Sequence, residues 1–226
     1  MTLLGQGSLF FWHDIAEGGN DDYEHWHSFQ HMPERLHVPG FRRGRRYLNT
    51  KAHGPKWVIW YEVDAPAVLT SPPYLERLNN PTPWTLQAVS NFKNTSRTIC
   101  TVAETRGHGV GELIATIRLG GAEKLKRYLA DLFAELVERP GITGVHLLIG
   151  DGSASDVDNA EKHLRDQPDT FADWVILIEA YDADQLQAVL DTELSAENLT
   201  AHSAQQGIET GVYRLRHVLA RTDLDD

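Results

Sequence analysis

The feature that most constrains this chain is that it echoes itself. Val38-Pro39-Gly40-Phe41 opens a strand-like run to Leu48, and Arg139-Pro140-Gly141-Ile142 opens another to Gly150. Trp57-Val58-Ile59-Trp60-Tyr61-Glu62 is matched by Trp174-Val175-Ile176-Leu177-Ile178-Glu179, each a β-branched and aromatic run that ends in a carboxylate. The Pro-Gly pairs lie 101 residues apart (39 to 140) and the Trp-Val-Ile runs 117 apart (57 to 174). A chain that repeats its elements in order folds as a pair of like units.

The first half reads as a strand Ser8–Asp14, a helix Asp21 to about His37, strands Phe41–Leu48 and Trp57–Val63, helical pieces Pro73–Leu78 and Pro83–Phe92, and a strand Arg97–Glu104. The second reads as a strand Glu112–Leu119, a helix Ala122–Glu138, strands Ile142–Ile149 and Trp174–Tyr181, a helix Asp184 to about Leu194, and a strand Gly211–Leu219. This is βαββαβ twice, the ferredoxin-like order. Leu125, Leu129, Leu132, Phe133 and Leu136 form a continuous apolar stripe on the second-half helix. Such a four-stranded sheet leaves one face bare, and two of them in one chain can cover each other. The expected fold is therefore α+β: two tandem ferredoxin-like units packed sheet to sheet as an intramolecular pseudo-dimeric barrel. The units are expected at 1–106, carrying the candidate site, and 107–226, mainly scaffold. A short linker is expected around Thr105–Gly111, and the Asp-rich insert 151–170 reads as a mobile surface loop.

Composition excludes several classes. The net charge is −11 over 226 residues and the pI about 5.4, so the chain repels phosphate backbones and no nucleic-acid partner is expected. A single cysteine, Cys100, excludes an internal disulfide framework and a cysteine-rich zinc site. No apolar run approaches bilayer length and the first residues lack a signal-peptide pattern, so the expectation is a cytoplasmic protein without a membrane partner. Neither a phosphate loop nor a Gly-x-Ser-x-Gly motif is present.

Trp26-His27-Ser28-Phe29-Gln30-His31-Met32-Pro33-Glu34-Arg35-Leu36, followed by Val38-Pro39-Gly40-Phe41, resembles the dimeric α/β-barrel superfamily, and within it the EthD-like proteins. The shared pattern is an aromatic on the first helix, then His-x-Pro, then Pro-Gly before the second strand. The resemblance spans residues 8–104 and continues through 110–220 as fold order only, because the second half has no His-x-Pro. It implies a fused barrel in which one half kept the site. The superfamily holds small monooxygenases, polyketide cyclases, muconolactone-type isomerases, haem-binding peroxidase-like enzymes and members without known activity, so fold does not choose among them. The residue it implicates is His31, and less firmly Trp26.

Read as residues, His27 and His31 lie four apart on one helix, and a neutral imidazole can serve as a general base near pH 7. The alternative is that they pack around Pro33. Glu24, His27, His31 and Glu34 could supply metal ligands, but two histidines four apart are a weak signal, and no metal or other cofactor is expected. In Arg42-Arg43-Gly44-Arg45-Arg46-Tyr47, alternation sends Arg43, Arg45 and Tyr47 one way and Arg42 and Arg46 the other. These arginines read as ion-paired, with Arg46 and Tyr47 the exceptions that could meet a ligand. Trp12, Trp26 and Trp60 concentrate in the first half and could line an aromatic pocket or fill a core.

The functional expectation is an enzyme or binder of a small hydrophobic or aromatic molecule. His31 would be the base or orienting donor, helped by His27 or Tyr47, with Trp12, Trp26, Arg46 and Trp60 toward the ligand. The reaction would be proton transfer or cofactor-free oxygenation. The alternatives are a non-catalytic ligand-sensing or assembly protein and a haem protein, and a homo-oligomer of the fused unit stays open.

Overall fold

The computed structural model describes residues 3–164, 168–205 and 207–224. Its first unit runs β1 (Gly7–Ile15), α1 (Asn20–Trp26), a π-helical turn (His27–His31), α2 (Met32–Leu36), β2 (Phe41–Asn49), β3 (Trp57–Val63), α3 (Pro72–Asn79), α4 (Pro83–Val89) and β4 (Phe92–Gly107). The second runs β5 (Leu113–Leu119), α5 (Glu123–Leu136), β6 (Ile142–Gly150), α6 (Gly152–Ser155), α7 (Ala160–His163), β7 (Trp174–Ala180), α8 (Ala183–Asp191), α9 (Ala196–Ala201) and β8 (Glu209–Ala220). The strands close into one barrel in the order β1-β3-β2-β8-β5-β7-β6-β4. It comprises two ferredoxin-like sheets joined by β2–β8 and β4–β6 pairing, the tandem pseudo-dimeric α+β barrel expected. Closure leaves the barrel without a free strand edge. No helix among the described residues is long and apolar enough to cross a membrane.

The duplication extends to single bonds. Gly40 and Gly141 sit at φ +94° and +95°, the left-handed region that favours glycine. Their carbonyls accept from Asp64 and Tyr181 at 2.8 and 2.9 Å. The strand that follows each turn is bulged against its partner, between Phe41 and Arg43 and between Ile142 and Gly144. The two Pro-Gly elements thus hold the same topological place.

Both faces of the barrel wall are buried, which is why β3 is apolar at nearly every position. Outward-facing Leu9, Phe11, Ile59 and Tyr61 pack under the first unit's helices. Leu125, Leu129, Phe133 and Leu136 of α5 cover Ile176 and Ile178 in the second. Inward-facing residues fill the barrel. Phe10 stacks between Trp12 and Trp60, with ring centroids 5.2 Å apart on each side, and Cys100 is buried in the same cluster.

The predicted alternation of the arginine strand holds. Arg43 and Arg45 meet Glu62 inside the barrel, while Arg42 pairs with Asp64 and Arg46 with Glu24 outside. Arg45 also reaches across to Glu179 at 2.8 Å, and His146 Nε2 lies 3.3 Å from the same carboxylate. Burial alone would raise the Glu179 pKa, but Arg45 and His146 bring it down to about 2.

Two expectations need correction. Thr105–Gly107 is strand, paired with His146–Gly144 of β6, so the expected linker begins only after Gly107. The insert is not a free loop over its described part. Asp151 and Asn159 cap α6 and α7, and Ser155, Asn159 and Glu161 are buried against the first unit. Its Asp-rich composition reflects helix capping. Residues 165–167 of the insert lie outside the described residues.

Arg45→Met strands Glu179 in the barrel without its guanidinium and is expected to cost about 3–5 kcal/mol in denaturant unfolding. Adding Glu179→Gln should recover part of that loss; a double variant as unstable as the sum of the singles would contradict the coupling.

Candidate functional site

Pro33 shapes the first helix. It has no N–H for the carbonyl four residues back, and its ring crowds that turn. The chain responds by widening into the π turn, in which the Met32 amide donates to His27 O, five residues away. Gly44 lets this segment approach the sheet closely, since a Cβ there would lie 2.8 Å from both Met32 Cγ and Tyr61 Cε1. The second unit shows the contrast. Counting back from its Pro-Gly turn, Ala134 stands where Pro33 does, and α5 is regular over 14 residues. By the same count Leu132 stands for His31, and on the matching strand Ile178 stands for Tyr61.

The π turn directs His31 toward a cavity of about 50 Å³ between the first sheet and its helices. Its walls are apolar (Leu9, Phe11, Ile59, Phe92) with Tyr61, Tyr74, Arg35 and Arg97 among them, and Asn159 and Glu161 of the insert complete it. The second unit therefore contributes to the first unit's cavity. α7 is tied down by the Arg35–Glu161 ion pair and by the Ala160 amide donating to Asn79 Oδ1 at 3.1 Å.

His31 is 8% exposed and its Nδ1 has no hydrogen-bond partner among the described residues. Burial first, and then Arg35 and His13, hold its pKa well below the ordinary histidine value. His27 is fully buried 5.5 Å away between ring centroids, its Nε2 3.4 Å from the Tyr61 hydroxyl. Burial, Arg46 and the neighbouring histidines likewise depress its pKa. Both imidazoles are neutral at pH 7. Burial raises the Tyr61 pKa, so its hydroxyl keeps its proton.

The residues singled out from sequence separate into three places. His31 lines the cavity. His27 and Trp26 lie behind it: the Trp26 ring is 4.3 Å from His31, and its indole N–H donates to Thr85 at 3.2 Å. Arg46 is outside the barrel too, donating to the Glu24 carbonyl at 3.0 Å and lying over Tyr23 and Trp57, but it does not line the cavity. Trp12, Tyr47 and Trp60 face the barrel interior, on the other side of the sheet from His31. There Trp12 donates to Thr116, Trp60 donates to Ser8, and the Tyr47 hydroxyl accepts from Arg45. Tyr61, Arg97, Arg35 and Tyr74 were missed. Arg97 stands opposite Phe11 in the β1–β4 register, which places it on the outward face, and only the fold shows this.

The fold family includes haem proteins, but these residues do not fit that group. The cavity is far below the roughly 300 Å³ at which ligand pockets begin, and Trp26 and His27 crowd the His31 ring.

No known family model matches the sequence, and no curated protein matches it. Solved structures do. An anthrone oxidase-like protein is 12% identical with a TM-score of 0.60, covering 97% of this chain and 95% of that one. A provisionally named monooxygenase from Lactobacillus acidophilus is 8% identical with a TM-score of 0.58, covering 96% and 97%. Another from Fusobacterium nucleatum is 9% identical with a TM-score of 0.57, covering 96% of each. At such identity the likeness establishes the fold, the dimeric α/β barrel over the whole chain.

Because His27, His31 and His217 are all held below their unfolded pKa, the unfolded state binds more protons as pH falls from about 6.5, and stability drops with it. The loss approaches about 1.4 kcal/mol per pH unit for each of the fully buried His27 and His31, and less for the half-buried His217. Urea unfolding at pH 7.5, 6.5 and 5.5 should show a shallower decline for His31→Gln than for wild type; equal slopes would contradict the assignment.

Proposed function

We propose that the chain is a small-molecule enzyme acting in the first unit's outer cavity, with His31 as the base that accepts a proton from a carbon or hydroxyl acid. The observation that carries this reading is one imidazole, kept neutral and with Nδ1 unpartnered among the described residues, at the wall of a cavity whose lining mixes apolar side chains with Arg35, Arg97 and Tyr61. A neutral imidazole can accept a proton, and a dry pocket with a nearby guanidinium stabilises the resulting enolate or phenolate more than water does. Tyr61, protonated and close to His27, is positioned to donate. Such chemistry needs no cofactor, and cofactor-free oxygenation would begin from the same carbanion. The anthrone oxidase-like and monooxygenase-named neighbours are compatible with that class, although their likeness speaks for fold alone.

The cavity's size bears on the substrate. An apolar cavity of roughly 150 Å³ is needed to admit benzene, so an aromatic substrate enters only if α6 and α7 lift from the first unit. Ligand sensing without turnover is the competing reading, and the same experiment separates the two. In a panel of aromatic ketones and phenols, wild type is expected to consume at least one compound and His31→Ala to lose about 10²–10⁴-fold of that rate. Binding without turnover in both proteins would favour the sensor.

A further inference from the structure

We infer that the cavity receives a small organic acid, with its carboxylate held by Arg97 and its organic part against Leu9, Phe11 and Phe92. This rests on the cavity being a ligand site, as proposed above, and adds the chemical class. Among the described residues four arginines are buried: Arg35, Arg45, Arg46 and Arg97. Three of them have carboxylate partners, namely Glu161, Glu62 with Glu179, and Glu24. Arg97 is the exception. Its guanidinium donates to the Ser155 carbonyl at 3.2 Å and the Tyr74 hydroxyl at 3.4 Å, both neutral, and no carboxylate among the described residues pairs with it. A chain with 32 acidic residues brings none of those described to this guanidinium, which sets Arg97 apart.

The cavity wall therefore carries one unbalanced positive charge. Arg35 is neutralised by Glu161, and His31 and Tyr61 are uncharged. An unpaired charge in an apolar enclosure is costly, and a carboxylate both cancels it and matches the planar fork of guanidinium donors. His31 Nδ1, nine-tenths buried on the same wall, still lacks a partner. The helix that contacts Arg97 belongs to the insert. The cavity of about 50 Å³ is smaller than the space benzene takes, so an acid of isobutyrate's size must take the place of the Ser155 carbonyl and displace α6.

The test titrates isobutyrate and isobutyramide, which share shape but not charge, into wild type, Arg97→Met and Arg97→Lys at constant ionic strength. Amide shifts by NMR locate and quantify binding. The acid is expected to bind at least about tenfold more tightly than the amide, shifting residues around His31. Arg97→Lys should keep part of that preference and Arg97→Met none, with Arg97→Met unfolding at no lower temperature than wild type. An amide that binds as well as the acid, or a preference that survives in Arg97→Met and Arg97→Lys alike, overturns the acid inference and leaves the cavity reading standing. Failure of both compounds to perturb the cavity overturns both.

Discussion

The structure depends on a charge network inside the barrel. Arg45 lies between Glu62 of its own unit and Glu179 of the other, and His146 completes the set. By the repeat spacing Arg45 and His146 are counterparts, as are Glu62 and Glu179. The network is thus a duplicated pair linked across the pseudo-twofold. Glu62 also accepts from Arg43 and from the Leu4 amide, and Glu179 from the Gly111 amide. Buried charges of this kind add little net stability over an apolar core, but breaking one leaves the others unpaired. Such a network penalises any register in which the two sheets slip past one another.

The middle of the barrel is occupied by the charges and by the Phe10–Trp12–Trp60 stack. The proposed site therefore lies on the outer face, where the first sheet meets its helices. The second unit closes its corresponding face with leucines. The first unit does not, because Pro33 widens its helix and presents His31 in place of leucine. Pro33 thus marks the unit in which His31 meets a cavity, and the second unit contributes to that cavity through the insert that roofs it.

Much of this was legible in the sequence. The Pro-Gly turns and Trp-Val-Ile strands located both units, since each feature is local and carries its own backbone requirement. The alternation of Arg42–Tyr47 assigned sides correctly, and His31, singled out by its place in the His-x-Pro motif, lines the first unit's cavity. Period-two alternation cannot say which side holds a cavity when both are buried, which is why Trp12, Tyr47 and Trp60 stood beside His31 as candidates. The insert was misread because capping residues such as Asp151 and Asn159 have the composition of a loop. Arg97 and Glu161 come from distant stretches of chain and meet only through the fold.

Everything proposed for this chain turns on there being one site, on the outer face of the first unit. Mapping a fragment library onto the protein by backbone and histidine NMR shifts tests it most directly. Perturbations are predicted to group at His31, Tyr61, Arg97 and Glu161, with none at Leu132 and Ile178. Perturbations centred on Trp12, Tyr47 and Trp60, inside the barrel, would contradict it.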